Sequence, residues 1–232
     1  MKKYLRLLTL LVILSLFVMG QLGYTAQLDV VKFVDPNLEQ AVRDALGIPK
    51  GRPITKADMT RLKSLNAEDE GIQNLSGLEY AINLQGLYLN NNQISDIKPL
   101  ACLTNLQWLY LGYNQISNIN PLTNLTNLQA LVLGLNQISD ISPLAKLTSL
   151  PELDLAHNKI SNIKPLAYLT NLQKLYLDNN QIKDISPLVS NTGLEDWGKW
   201  VYLQNNLLDL TPGSDDMKNI QILQNRGVGV TY

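Results

Sequence analysis

The sequence predicts an α/β solenoid, a curved stack of short parallel strands closed by a cap at each end. Three observations lead there. A block of residues repeats without insertion: NLQGLYLNNNQISDIKPLACLT at 83–104 is followed by copies starting at Asn105, Asn127, Ser149 and Asn171. Each block opens with LxxLxL, the alternation of a half-buried strand with its leucines on one face. An asparagine then follows that strand at constant spacing, at Asn92, Asn114, Asn136, Asn158 and Asn180. One such unit cannot bury its leucines alone, but stacked units share a continuous core.

The elements follow in chain order. Residues 1–26 begin MKKYLR and continue into an apolar run from Leu7 to Met19. That run is short for a bilayer span and fits a secretory signal peptide. Cleavage after Ala26, cleavage near Gly20 and an uncleaved anchor all stay open. The mature protein is expected to be exported, secreted or held at the cell surface, with no membrane-embedded segment.

Residues 27–60 read as a helical cap. Asp35-Pro36 is a helix start, Leu38, Ala41, Val42, Ala45 and Leu46 form its apolar face, and Gly47 stops it. Ile54–Thr60 offers a second turn, with Thr55 and Asp58 at capping-box spacing. Such a cap covers the leucines of the first repeat, which would otherwise face water.

Residues 61–210 hold about seven repeats by this period. The first, Arg61–Ile82, is degenerate but keeps Leu62, Leu65, Ala67, Ile72 and Leu75 in frame. The last keeps Val201, Leu203 and Asn206 after extra residues around Trp197. Within each block the asparagine can satisfy backbone groups that no strand ladder reaches, and Asn206 extends that ladder. Ile94, Ile116, Ile138, Ile160 and Ile182 return the chain to the core. Pro99, Pro121, Pro143, Pro165 and Pro187 fix the backbone on the outer side, where short 3-10 turns suit so compact a repeat. Residues 211–232 form the second cap, a helix from Ser214-Asp215-Asp216 through Gln224 and an edge strand over Arg226–Val230.

The consensus LxxLxLxxNxIx[DN]IxPLxxLTN resembles the bacterial leucine-rich repeats of internalin-like proteins, over residues 61–210. The resemblance implies a leucine-rich repeat horseshoe with a concave parallel sheet. It also implies that the concave face binds a protein partner, a host or bacterial surface protein, in adhesion or another interaction.

Composition narrows the chemistry. Lys+Arg number 19 against Asp+Glu 20, so nothing electrostatic points to nucleic acid or to an acidic membrane. Cys102 is the single cysteine, which excludes an intrachain disulfide and leaves a surface thiol or an intermolecular bridge. One histidine, His157, and no GxSxG elbow leave the inventory too small for catalysis, and no catalytic residue, metal or cofactor is expected. The recurring Asp96, Asn118, Asp140, Asn162 and Asp184 suit local turn hydrogen bonds better than a calcium ladder.

Binding is legible residue by residue. The third, fifth, seventh and eighth positions of LxxLxLxxN line the concave face. They place Tyr88, Trp108, Tyr110, Tyr113, Val132 and Leu135 in one apolar cluster over three strands. Gly112 and Gly134 are expected to leave a shallow recess beside the rings. Glu152, Asp154, His157 and Asp178 form an acidic strip downstream, with Lys174 and Tyr176 at its edge. The cluster reads as a partner-binding surface, with stacked packing of the fifth-position tyrosines as the competing reading. Trp197 and Trp200 are expected to pack in the closing cap. A monomeric protein-binding module is expected; a carbohydrate or cell-wall binder and a self-associating surface protein are the alternatives.

Overall fold

The computed structural model describes residues 29–232, and the signal-peptide reading of 1–26 lies outside them. Eight parallel strands form one sheet in strict chain order: β1 (Ser64–Asn66), β2 (Gly86–Tyr88), β3 (Trp108–Tyr110), β4 (Ala130–Val132), β5 (Glu152–Asp154), β6 (Lys174–Tyr176), β7 (Trp200–Tyr202) and β8 (Gly229–Thr231). The register is in phase throughout. Ser64, Gly86, Trp108, Ala130, Glu152, Lys174, Trp200 and Gly229 make one row. Asn66, Tyr88, Tyr110, Val132, Asp154, Tyr176, Tyr202 and Thr231 make another. The residue between the two rows, from Leu65 to Leu175 and on to Val201, points into the core.

The core is one continuous cluster of buried apolar side chains, mostly Leu and Ile, running from Val31 to Val228. The asparagine after each strand holds neighbouring repeats together. Asn114 Nδ2 donates to Leu89 O at 2.9 Å, in the repeat before, and to Leu111 O and Gly112 O in its own. Its Oδ1 accepts from the Ile94 amide at 3.0 Å. The same bonds recur at Asn92, Asn136, Asn158, Asn180 and Asn206. A buried amide whose donors and acceptor are all used offsets the cost of leaving water.

A second asparagine row does not follow from the hydrophobic pattern. Asn83, Asn105, Asn127 and Asn171 each donate to the backbone carbonyl just before the start of the preceding repeat: Thr60, Ile82, Thr104 and Thr148. On the outer side, four 3-10 turns start at Lys98, Asn120, Ser142 and Lys164, each with its proline in the first turn. At Pro187 the turn is instead a short α-helix, Ser186–Ser190. The residue two before each turn start closes it as an Asx turn: Asp96, Asn118, Asp140, Asn162 and Asp184 each accept the amide two residues on at 2.8–3.1 Å.

Helix α1 (Pro36–Leu46) and the short α2 (Lys56–Met59) form the N-terminal cap. Asp35 Oδ1 caps α1 through Asn37 and Leu38, while its Oδ2 accepts the amides of Gln73 and Asn74 in the first repeat. One carboxylate therefore fixes the helix start and docks it. Burial raises its pKa, but these four amides outweigh that and leave it lowered. Leu38 and Val42 are buried and Ala41 and Leu46 half-buried, whereas Ala45, expected on the apolar face, is exposed. Its position faces outward because the helix touches the solenoid along a narrower stripe than the spacing allowed. Thr55 and Asp58 form a reciprocal capping box.

At the other end, helix α4 (Asp215–Asn225, after α3 at Ser186–Ser190) is capped by Ser214. Arg226 ties this cap inward by donating to Val189 O at 2.7 Å, and its carbonyl accepts the Asp196 amide. Strand β8 starts at Gly229, later than Arg226, because Arg226 still closes α4 through its amide. Among the described residues no helix is long and apolar enough to cross a membrane.

Candidate protein-interaction face

The register turns the two outward rows into a surface map. Trp108 stands between the small residues Gly86 and Ala130. The Tyr88 ring leans over Gly86, and the Trp108 indole is 37% exposed. In the next row Tyr88 and Tyr110 meet as tilted rings at 5.1 Å. Val132 continues that row as a half-buried contact.

The eighth position carries a feature that the leucine pattern does not show. At every repeat this residue has positive φ: Asp69 at 60°, Asn91 at 55°, Tyr113 at 54°, Leu135 at 58°, His157 at 54°, Asn179 at 56° and Asn205 at 56°. Left-handed backbone suits Asn and Asp and costs other L-residues roughly 1 kcal/mol. Four repeats use Asn or Asp and one uses His157, also common there; two consecutive repeats at the centre use Tyr113 and Leu135 and accept the strain. Tyr113 gains no burial in return, being 60% exposed. Strain kept without packing benefit is a pointer to function.

The recess expected at Gly112 and Gly134 is filled. Gly112 donates its amide to Asn90 Oδ1 at 2.7 Å, and a Cβ on Gly112 would lie 3.1 Å from that oxygen. Over Gly134 sits the carboxylate of Asp154, both oxygens 3.0 Å from where a Cβ would be. The glycines admit neighbouring polar side chains, which sequence spacing cannot foresee because it does not say which way a side chain leans.

Asp154 is therefore central. Its Oδ1 accepts the Ala156 amide at 2.9 Å. Burial pushes its pKa up, the Ala156 bond opposes this, and the charge of Asp178 adds to the rise. Beside it, Asn179 Nδ2 lies 3.1 Å from His157 Nε2 and donates to Asp178 Oδ2 at 2.9 Å, while His157 and Asp178 are 3.8 Å apart. The Tyr110 phenol is pushed up by burial and by the charge of Glu152; that of Tyr176 by burial, Tyr202, Glu152 and Asp154. The acidic strip thus reaches both flanking tyrosines electrostatically.

Tyr176, placed with the strip by its sequence position, joins a second aromatic group. It stacks on Tyr202 at 4.6 Å with ring planes 7° apart, and Trp200 lies 6.2 Å from Tyr202. The Trp200 ring also covers Gly229, where any Cβ would fall 2.5 Å from it. Trp200 thus packs on the last strand, as a cap residue does, while keeping 44% exposure. Trp197 does not: it is 92% exposed, contrary to the packing expected of it. It sits in a turn between the positive-φ residues Asp196 and Gly198, ahead of β7.

Among the described residues no group of three or more His, Cys, Asp or Glu side chains converges as metal ligands do. Cys102 is exposed on the outer side, its sulfur 3.4 Å from Glu79 O.

The family described as Leucine Rich repeats (2 copies) matches residues 82–124, 104–146 and 148–190. An internalin (inlF) of Listeria monocytogenes is 33% identical over 85% of this chain and 55% of that chain, with a TM-score of 0.75. This chain thus spans about half the length of that internalin. An internalin C2 of the same organism is 36% identical over 86% of this chain and 94% of that one, with a TM-score of 0.61. A leucine-rich repeat protein of Leptospira interrogans shares the fold at 23% identity, over 77% of this chain and 51% of that one, with a TM-score of 0.62. No curated protein matches the sequence.

Proposed function

The chain belongs to the internalin-like leucine-rich repeat proteins, and from that premise we propose that it captures a protein partner on its concave sheet face, with Trp108, Tyr110 and Tyr113 as anchors. The fold is that of an interaction scaffold. What carries the choice of face is the exposed Tyr113 held in left-handed backbone at a position where Asn or Asp would be relaxed. Val132 and Leu135 extend the apolar contact, and Glu152, Asp154, His157 and Asp178 border it. Tyr and Trp are the residue types that dominate interface energetics, and their rings bury large areas at little entropic cost. The expected setting is outside the cell, which the basic start and apolar run at 1–26 support.

The experiment is capture from a surface extract with immobilised protein, comparing wild type with the Trp108→Ala/Tyr110→Ala variant. Bands retained by wild type and lost by the variant support the reading. Identical capture by both, with both folded, overturns it.

A further inference from the structure

We propose that the partner is basic at its point of contact: a Lys or Arg side chain settles over Glu152 and Asp154 while a neighbouring apolar side chain rests against Trp108 and Tyr113. This rests on the concave-face reading above and adds the chemistry of the occupant.

The charge pattern of the face selects that occupant. Asp154 Oδ1 takes the Ala156 amide, and no donor within the described residues reaches its Oδ2. Glu152 sits beside Lys174 in the sheet register, yet no ion pair joins them. His157 is engaged with Asn179 and Asp178, and its charge acts on Asp154 only through space. Two half-buried carboxylates thus stand without a cationic side chain in ion-pair contact, on a surface that the adjoining aromatics mark for coverage. An apolar partner laid across them would bury unpaired charge, which costs several kcal/mol. An acidic segment or a nucleic-acid backbone would be repelled. A Lys or Arg side chain removes the penalty and finds Tyr176 beside Asp154 on the adjoining strand, an aromatic ring that also attracts cations.

Geometry sets the spacing. Trp108 and Tyr110 are on β3 and Glu152 and Asp154 on β5, two strand steps apart, or about 10 Å. An extended chain covers that distance in about three residues. The recognised segment therefore carries its basic residue about three positions from an aromatic or aliphatic one.

The test selects a library of short random peptides on the folded chain. The most enriched peptide is then synthesised and titrated against wild type, Glu152→Gln/Asp154→Asn and Trp108→Ala/Tyr113→Ala, between about 0.1 M and 1 M salt. Asn at 154 keeps an acceptor for the Ala156 amide, and thermal unfolding checks each variant. The expected result is enrichment of Lys or Arg near an apolar residue, with at least about tenfold weaker binding to the charge variant and most of the salt dependence lost. Peptides without basic residues, or binding unchanged in the charge variant but lost in the aromatic one, would overturn the cationic contact and leave the face intact. Binding that survives in both variants overturns the choice of face itself.

Discussion

The concave sheet carries two aromatic groups built from the same residue types, sharing two strand rows, and they differ in what they touch. At the C-terminal end, Tyr176 and Tyr202 stack face to face and Trp200 lies across Gly229, so ring surface is spent on other parts of the chain. In the N-terminal half only Tyr88 and Tyr110 meet, and they meet tilted. Trp108 stands between Gly86 and Ala130, and Tyr113 is lifted away on left-handed backbone. A tyrosine in a given row is thus not one kind of thing. Its neighbours decide whether it closes the solenoid or waits for something else.

That contrast can be broken most directly at the N-terminal group. Trp108→Ala/Tyr113→Ala should weaken partner binding about 100-fold or more, since hot-spot aromatics carry at least about 2 kcal/mol each, while the denaturation midpoint moves little. Titration together with urea unfolding checks both halves. Trp200→Ala should do the reverse: binding at wild-type strength, but a stability loss of about 2 kcal/mol, about half the cost of truncating a fully buried Trp. If Trp200→Ala leaves the urea midpoint unchanged, the end group is not packing.

Leu135→Asn tests the strained position between the groups. It should raise stability by roughly 0.5–1 kcal/mol by relaxing the left-handed backbone, and weaken binding. A destabilised variant would mean that Leu135 is there for packing. The smallest effect belongs to Asp154→Asn. Because burial raises the folded-state pKa of Asp154, the folded protein holds its proton more tightly than the unfolded chain does. Wild type therefore loses stability as pH rises from the ordinary carboxylate range through that raised value. The Asn variant lacks this loss, so it should be slightly more stable at neutral pH and no different in acid below that range. Melting temperatures across pH would show it.

Much of the surface map is legible in the amino-acid sequence alone. Parallel strands stacked in phase place residue i beside its counterpart one repeat on, so the repeat period by itself puts Trp108 next to Gly86 and Ala130. Allowing for the extra residues around Trp197 also predicts that Trp200 follows Lys174. What periodicity does not supply is torsion and lean. The sign of φ at Tyr113 is invisible in a hydrophobic pattern, although Asp69, Asn91, Asn179 and Asn205 in the same column are a signal of it, being the residue types that left-handed backbone prefers. The filling of Gly134 by Asp154 depends on a side-chain rotamer, and the exposure of Trp197 on a turn that breaks the frame. Both lie where local geometry overrules the repeat.

The asparagine ladder has a consequence for how such a chain can change length. Each amide bonds only to its own repeat and to the one before, through atoms that every repeat presents alike. Excision of residues 127–148 would let Asn158 take the Leu111 carbonyl and Ile116 amide that Asn136 now holds. It would also bring Trp108 beside Glu152 and Tyr110 beside Asp154. The ladder works as a graduated ruler: the distance between aromatic and acidic contacts can be reset one strand at a time, with no seam left in the core.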